Sequence, residues 1–188
     1  MEEVARHPDA LSMGQRLFLN NCAQCHGSDA RGSKGFPNLT DSDWLHGGDP
    51  ETIRVSIVEG RKGQMPSMQA AVGGTQEARA VAQYVLSLSG RSNNSVLAQL
   101  GRETYKNVCA ACHGADGKGN TALGAPNLSD RTWLYGGTEK AIVETIRNGR
   151  NGNMPAHGTL LTAEQIRVLA SYVWQLSNVP EKTSALAQ

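Results

Sequence analysis

All four cysteines of the chain lie in two copies of the motif Cys-x-x-Cys-His. Residues 22–26 read CAQCH and residues 109–113 read CAACH, and a glycine follows each copy. Two thiols and an imidazole at this spacing are suited to four kinds of chemistry. They can form a disulfide, act as a redox dithiol, bind zinc, or attach haem covalently.

Three of these interpretations fit the sequence poorly. A chain of 188 residues does not need disulfides for stability. A thioredoxin-like dithiol belongs to a strand–helix setting, which this sequence does not predict. Structural zinc usually takes four ligands from closely spaced pairs, whereas these two pairs lie more than 80 residues apart.

Covalent haem attachment is the chemistry that Cys-x-x-Cys-His directly indicates. The two thiols add to the two vinyl groups of the porphyrin, and the histidine lies beneath the iron as an axial ligand. The sequence therefore predicts two haem c groups. Their expected thioether residues are Cys22, Cys25, Cys109 and Cys112, and their expected iron ligands are His26 and His113.

The motif is one part of a longer internal repeat. Pro-Asn-Leu occurs at 37–39 and 126–128, and Trp-Leu-x-Gly-Gly occurs at 44–48 and 133–137. Gly-Arg-x-Gly-x-Met-Pro occurs at 60–66 and 149–155, and all offsets lie between 87 and 89. Two units of this length predict duplicated domains, 1–90 and 91–188, which are joined by a polar segment at 89–95.

An iron that only transfers electrons needs a sixth ligand, and that ligand should recur in both repeats. Met65 and Met154 do so, each within the Gly-Arg-x-Gly-x-Met-Pro stretch. A thioether is a neutral, soft donor that favours Fe(II) and raises the reduction potential. Met68 and His157, each three residues further on, are alternative ligands.

Other repeated residues are candidates for the haem environment: Pro37 and Pro126, Trp44 and Trp133, and Arg61 and Arg150. A metal-bound histidine usually donates its second N–H to an oxygen, and a proline carbonyl is a free acceptor. The tryptophans are expected to bind propionates, cover the porphyrin or simply pack in the core. The arginines are expected to neutralise propionates or to remain solvated.

Both repeats read as helical, which predicts an all-α fold. Asp49 and Pro50 begin one helix and Gly60 ends it; Thr138 and Gly149 bound its counterpart. The final helices are expected to begin near Thr75 and Thr162, the latter with a capping box to Gln165. Shorter helices, at 11–20 and 96–107, are expected before each cysteine pair.

Composition narrows the function classes. The formal net charge is +1, which makes nucleic acid an unsuitable partner. The first repeat has 8 basic and 10 acidic residues, about −2, and the second has 10 and 7, about +3. Only 5% of residues are aromatic, so each repeat has a thin core of its own.

The sequence predicts no membrane span and no export signal. It contains no run of 18 apolar residues, and its start lacks a basic region followed by an apolar one. Haem c is attached on the outer side of the bacterial inner membrane, so the chemistry places the chain in the periplasm. We therefore expect that a targeting part either has been removed or was never part of the given sequence.

These motifs resemble the mono-haem cytochrome c domain, present twice. The resemblance covers nearly the whole chain, except the leader, the linker and the tail from Glu181 to Gln188. In that family a glycine and an aromatic residue of the first helix pack against an aromatic residue of the last helix. The matching positions here are Gly14 with Phe18, Gly101 with Tyr105, and Tyr84 and Tyr172.

A closer resemblance is to subunit III of the cbb3-type cytochrome c oxidases. It rests on AQCHGSDARG, FPNLTD, LGAPNLSD and WLYGG. This resemblance implies a membrane-anchored dihaem cytochrome c of aerobic respiration. Such a subunit takes electrons from a soluble donor, such as a small cytochrome c, and passes them to the mono-haem subunit and then the catalytic centre. The sequence departs from the family in lacking the N-terminal transmembrane helix.

The resemblance implies an electron-transfer subunit with no catalytic centre of its own, on the periplasmic side of the inner membrane. One alternative is a free periplasmic dihaem carrier. Another is a dihaem peroxidase or gas sensor, which needs an open sixth position on the iron. His157, beside Met154, is the local feature that favours this second alternative.

Overall fold

The computed structural model describes residues 3–178; the tail from Glu181 to Gln188 lies outside them. A 3-10 turn, Val4–Arg6, precedes the helices. The helices are α1 (Pro8–Asn21), α2 (Ala23–His26), α3 (Pro50–Glu59), α4 (Gln69–Val72), α5 (Thr75–Leu88), α6 (Ser95–Thr104), α7 (Ala110–His113), α8 (Glu139–Asn148) and α9 (Ala163–Asn178). A π-helical turn, Tyr105–Cys109, joins α6 to α7, and the strands are β1 (Arg61–Met65) and β2 (Arg150–Met154).

Side-chain caps begin the helices where the sequence predicts them. The carboxylate of Asp49 accepts hydrogen bonds from the backbone N–H groups of Glu51 and Thr52, at 3.1 and 3.0 Å. At α9, Thr162 and Gln165 form the reciprocal capping box, with distances of 2.9 and 3.3 Å. Because a helix leaves its first N–H groups without intrahelical partners, these caps define where α3 and α9 start.

The two strands form an antiparallel pair that the sequence does not predict. Arg61 pairs with Met154, Gly63 with Gly152, and Met65 with Arg150. Each strand has only five residues and carries polar and glycine residues, so neither has the alternating apolar pattern of a strand. One strand comes from each repeat, so no local hairpin signal marks the pair.

The described residues divide into two compact units, and each unit contains segments of both sequence repeats. Unit 1 comprises the described parts of Met1–Asp43, Gly47–Gly60 and Pro155–Gln188. Unit 2 comprises Trp44–His46 and Arg61–Met154. The expected boundary at 90/91 separates the two sequence repeats and falls between α5 and α6. The two packing units are divided differently, because each unit takes segments from both repeats.

In unit 1, the first helix of repeat 1 packs against the last helix of repeat 2. A Cβ atom added at Gly14 of α1 would lie 2.5 Å from the Cβ of Tyr172 in α9. The rings of Phe18 and Tyr172 are 5.8 Å apart. The absence of a side chain at Gly14 is therefore what lets the two helices approach this closely. The buried apolar residues around this contact include Ile53, Ile57, Ile166 and Leu169.

In unit 2, the first helix of repeat 2 packs against the last helix of repeat 1. A Cβ atom at Gly101 of α6 would lie 2.1 Å from the carbonyl oxygen of Ala80 in α5. The rings of Tyr84 and Tyr105 are 5.1 Å apart. The core of this unit is formed by α5, α8 and Tyr105, and includes Val81, Val85, Leu86, Ile142 and Ile146.

Cutting the linker is expected to leave the two halves of the chain bound to each other. A protease site inserted between the exposed residues Ser92 and Asn93 would separate repeat 1 from repeat 2 covalently. Because α1 packs on α9 and α5 packs on α6, each fragment supplies helices to both units. Size-exclusion chromatography of the cleaved, haem-loaded chain should give one peak at the volume of the intact chain. Separate elution of the fragments would contradict this packing.

Candidate haem-binding sites

The motif of unit 1 lies at the junction of α1 and α2. Cys22 follows α1 directly and is half-buried, Cys25 is exposed, and His26 ends α2. Burial raises the pKa of the Cys22 thiol to about 11, and the neighbouring Cys25 adds a smaller effect in the same direction. Nδ1 of His26 lies 2.9 Å from the carbonyl oxygen of Pro37.

The motif of unit 2 has the same arrangement on α7. Cys109 is half-buried with a pKa raised to about 11, chiefly by burial, and Cys112 is exposed. His113 is buried, and its Nδ1 lies 3.1 Å from the carbonyl oxygen of Pro126. Burial lowers the pKa of His113, while the hydrogen bond to Pro126 acts in the opposite direction. The neutral imidazole, which is the form that binds metals, is therefore favoured.

The hydrogen bonds to proline assign the tautomer of both histidines. A carbonyl oxygen can only accept, so Nδ1 of His26 and of His113 must carry the proton. In the neutral ring, the lone pair of Nε2 is then available for a metal. This is the usual state of a ligand histidine, whose second nitrogen is oriented by an outer hydrogen bond. No disulfide joins any of the four cysteines.

A glycine in the loop after each motif brings the proline carbonyl to the histidine. Gly32 has φ +68° and Gly119 has φ +80°, and their N–H groups donate to the carbonyl oxygens of His26 and His113. A Cβ at Gly32 would come within 2.6 Å of the Pro37 carbonyl oxygen, and one at Gly119 within 2.7 Å of the Pro126 carbonyl carbon. Only glycine combines this backbone conformation with this close approach.

The strand pair carries the repeated arginines and methionines at opposite ends. Arg61 and Arg150 begin β1 and β2, and Met65 and Met154 end them. All four side chains are half-buried. Arg150 donates to Oγ1 of Thr145 at 2.9 Å, and its guanidinium carbon lies 4.5 Å from the centre of the Tyr135 ring. The sequence indicates Arg150 as a candidate for the haem environment but does not predict its stacking contact with Tyr135.

Unit 2 contains buried hydrogen-bond donors without acceptors. Within residues 3–178, Nε1 of Trp133, Nη2 of Arg150 and Nε of Arg91 are buried and have no protein partner. A buried donor left unpaired costs free energy, about 1–3 kcal/mol each. Haem propionates carry the acceptor oxygens that such donors require, so these residues fit a haem in this unit.

Arg91 is a candidate haem-environment residue that the repeated motifs of the sequence do not indicate. It lies in the linker, its guanidinium carbon is 5.8 Å from the Trp133 ring, and it donates to the carbonyl oxygens of Gly137 and Arg131, both at 3.3 Å. It has no counterpart in repeat 1, so a search for recurring residues discards it. A single linker arginine gives no other signal.

Three further residues that the sequence indicates, Trp44, Met68 and His157, do not share one environment. Trp44 is half-buried and belongs to unit 2, although it comes from repeat 1. Met68 is partly buried and packs against the apolar core of unit 2. His157 lies in unit 1, where its backbone N–H donates to the carbonyl of Ile57 at 2.9 Å. Its Nδ1 is buried without a partner among the described residues.

A model of one protein family matches the chain twice. It is described as cytochrome c oxidase, cbb3-type, subunit III, and it matches residues 9–85 and 97–173. Each match contains one Cys-x-x-Cys-His motif and one Met-Pro pair. No helix among residues 3–178 has the length and apolar character that crossing a membrane requires.

Curated relatives agree with this match. The cbb3-type cytochrome c oxidase subunit CcoP of Rubrivivax gelatinosus is 56% identical over 176 residues, which cover 94% of this chain and 58% of the relative. Subunit FixP of Azorhizobium caulinodans is 42% identical over 94% of this chain and 64% of its own length. Subunit CcoP of Cereibacter sphaeroides is 42% identical, over 87% and 60% respectively.

The chain thus spans about 60% of the length of the relatives it matches. Three observations indicate the same class of protein. They are the double family match, the paired motifs and the histidine geometry in both units. The chain belongs to the family of cbb3-type cytochrome c oxidase subunit III, which are cytochromes c with covalently bound haem.

Proposed function

We propose that the chain is a dihaem electron-transfer module that relays electrons from a soluble donor, such as a small cytochrome c, to the mono-haem subunit of a cbb3-type oxidase. The observation that supports this most directly is the arrangement of His26 and His113. Each donates Nδ1–H to a proline carbonyl and directly follows a Cys-x-x-Cys pair in the chain. This arrangement occurs once in each unit, which supports a count of two haems.

The proposed ligands come from the repeated motifs. Cys22, Cys25, Cys109 and Cys112 would form the thioethers to haem, and His26, His113, Met65 and Met154 would hold the two irons. Ligands supplied entirely by the protein would leave no position at the iron for a substrate. A haem held by these residues would supply one-electron redox chemistry, and a methionine ligand would raise its reduction potential.

The protein's own residues fix the position and surroundings of each haem. The proline carbonyls hold the imidazole rings in one orientation, which keeps the iron ligand in place in both oxidation states. In unit 2, Trp133, Arg91 and Arg150 supply N–H donors for propionates. The cationic arginines also offset the negative charge of a propionate, because charge-assisted hydrogen bonds are the stronger kind.

The proposed partner comes from the names of the relatives, and the proposed location comes from the chemistry of haem c attachment. Those relatives are oxidase subunits, so we propose that this chain docks to the oxidase on the periplasmic side of the inner membrane. Transient redox docking uses small interfaces.

Mass spectrometry and optical spectra of the purified chain test this function. After expression in a host that attaches haem c, the mass should equal that of the polypeptide plus two haems. The oxidised spectrum should show low-spin iron with a sulfur-to-iron band accounting for both haems, and both should titrate reversibly. High-spin iron in either haem would contradict the proposal and indicate an open coordination position, as in a peroxidase or a gas sensor.

A further inference from the structure

We propose that Met65, which lies in the first repeat, is the axial ligand of the iron held by His113, which lies in the second repeat. This inference rests on the proposed haem ligation and goes beyond it by assigning which methionine serves which iron. The repeats alone suggest the opposite pairing, because Met65 follows His26 along the chain.

The backbone at Met65 lies against the end of α8. Met65 pairs in register with Arg150, which directly follows Gly149, the residue that ends α8. Gly149 has φ +72°, and a Cβ added there would lie 2.3 Å from the carbonyl oxygen of Met65 and 2.8 Å from the carbonyl carbon of Pro66. The segment that carries the proposed ligand therefore contacts the helix of the second repeat.

The residues after Met65 continue along the same helix. The backbone N–H of Met68 donates to the carbonyl oxygen of Ile146 at 2.9 Å. The hydroxyl of Ser67 donates to the carbonyl oxygen of Arg147. Arg147 in turn donates to the side-chain oxygen of Gln69 at 3.3 Å. These contacts hold segment 65–69 at the C-terminal end of α8.

That end of α8 belongs to the core that surrounds the second motif. Ile146 is buried in the cluster that contains Tyr105, and Cys109 packs against this cluster. The hydroxyl of Tyr105 donates to the carbonyl oxygen of Gly114, next to His113, at 3.0 Å. Met68 packs against the same cluster. Met65 thus lies in the same unit as His113, on the segment 65–69 that packs at the end of α8.

Helix α3 is the counterpart of α8 in repeat 1, and its end likewise contacts a segment of the other repeat. In unit 1, the carbonyl oxygens of Ile57 and Val58 accept hydrogen bonds from the N–H groups of His157 and Gly158, at 2.9 and 3.1 Å. Ile57 corresponds to Ile146, and His157 corresponds to Met68. The end of α3 is therefore covered by a segment of repeat 2.

Proton NMR of the reduced two-haem chain tests the pairing directly. The ε-methyl of an axial methionine is shifted far upfield by the porphyrin ring current, so two shifted methyl signals are expected. Met65→Ala should remove one and Met154→Ala the other, whereas Met68→Ala should leave both. In the wild-type chain, the Met65 methyl should show NOEs to the haem whose thioether bridges involve Cys109 and Cys112.

Each outcome of this experiment is decisive. NOEs from the Met65 methyl to the haem on Cys22 and Cys25, or loss of the signal in Met68→Ala, would overturn the pairing and leave the electron-transfer proposal intact. The lack of any shifted methyl in the wild type would overturn the methionine ligation itself.

A second measurement does not depend on assigning methyl signals. In the full chain carrying Cys22→Ala and Cys25→Ala, only the second motif can hold haem covalently. The oxidised sulfur-to-iron band of that haem should be abolished by Met65→Ala and retained in Met154→Ala. The reverse result would overturn the pairing.

Discussion

The chain is expected to be largely unfolded when it carries no haem. Replacing all four motif cysteines with alanine removes the thioether attachment in both units. Each unit has about 90 residues, and a protein of that size buries only roughly two thirds of its unfolded surface. In unit 1 the largest buried apolar side chains are Phe18, Ile53, Ile57, Ile166 and Leu169, with alanines filling much of the rest. A bound haem supplies apolar mass and two axial bonds, and a group that binds only the folded state stabilises it.

Circular dichroism measures this effect. The four-cysteine variant should lose most of the far-UV helical signal of the haem-loaded chain and show no cooperative thermal transition at 25 °C or above. The matched control is the wild-type sequence produced in a host that does not attach haem c, since it keeps every side chain. If either haem-free chain kept the full helical signal and melted cooperatively, the protein core alone would be sufficient and the expectation would be wrong.

Gly101→Ala is expected to destabilise the haem-loaded chain strongly. The new methyl group would lie 2.1 Å from the carbonyl oxygen of Ala80, 2.3 Å from its carbonyl carbon and 2.6 Å from the backbone nitrogen of Val81. Because these are backbone atoms, no side-chain rotation relieves the clash, and α5 must move away from α6. Overpacking of this kind costs about 3 kcal/mol in free energy of unfolding. For a chain of this size the melting temperature should fall by roughly 10 °C.

Gly63→Ala is the matched control, because a Cβ at Gly63 meets no atom within 4 Å. Its melting temperature should remain close to that of the wild type. Gly14→Ala should be destabilising as well, since its methyl group would lie 2.5 Å from the Cβ of Tyr172. Equal melting temperatures for Gly101→Ala and Gly63→Ala would show that α5 and α6 do not approach as closely as the structure indicates.

Much of the local structure follows from the sequence. The caps at Asp49, Thr138 and Thr162 depend on short side chains that reach backbone N–H groups a few residues away, so position along the chain suffices to predict them. The hydrogen bonds from the motif histidines to Pro37 and Pro126 are similarly local. In both repeats the proline follows the histidine by 11 or 13 residues, and a glycine turn returns the chain to it.

Which first helix packs on which last helix depends on tertiary structure alone. Phe18 and Tyr105 are both aromatic, Gly14 and Gly101 occupy the same repeat position, and both last helices offer a tyrosine, Tyr84 or Tyr172. The contact surfaces of the two repeats are therefore chemically interchangeable, and no propensity or spacing distinguishes packing within a repeat from packing between repeats. The pairing of β1 with β2 is another long-range contact, and its residues carry no strand pattern. The sequence by itself determined the two Cys-x-x-Cys-His motifs, the proline partner of each motif histidine and the capped starts of α3, α8 and α9, because these features are local. The exchange of α5 and α9 between units was decided by the three-dimensional course of the chain, because contacts between distant segments of nearly identical chemistry leave no mark in the order of residues.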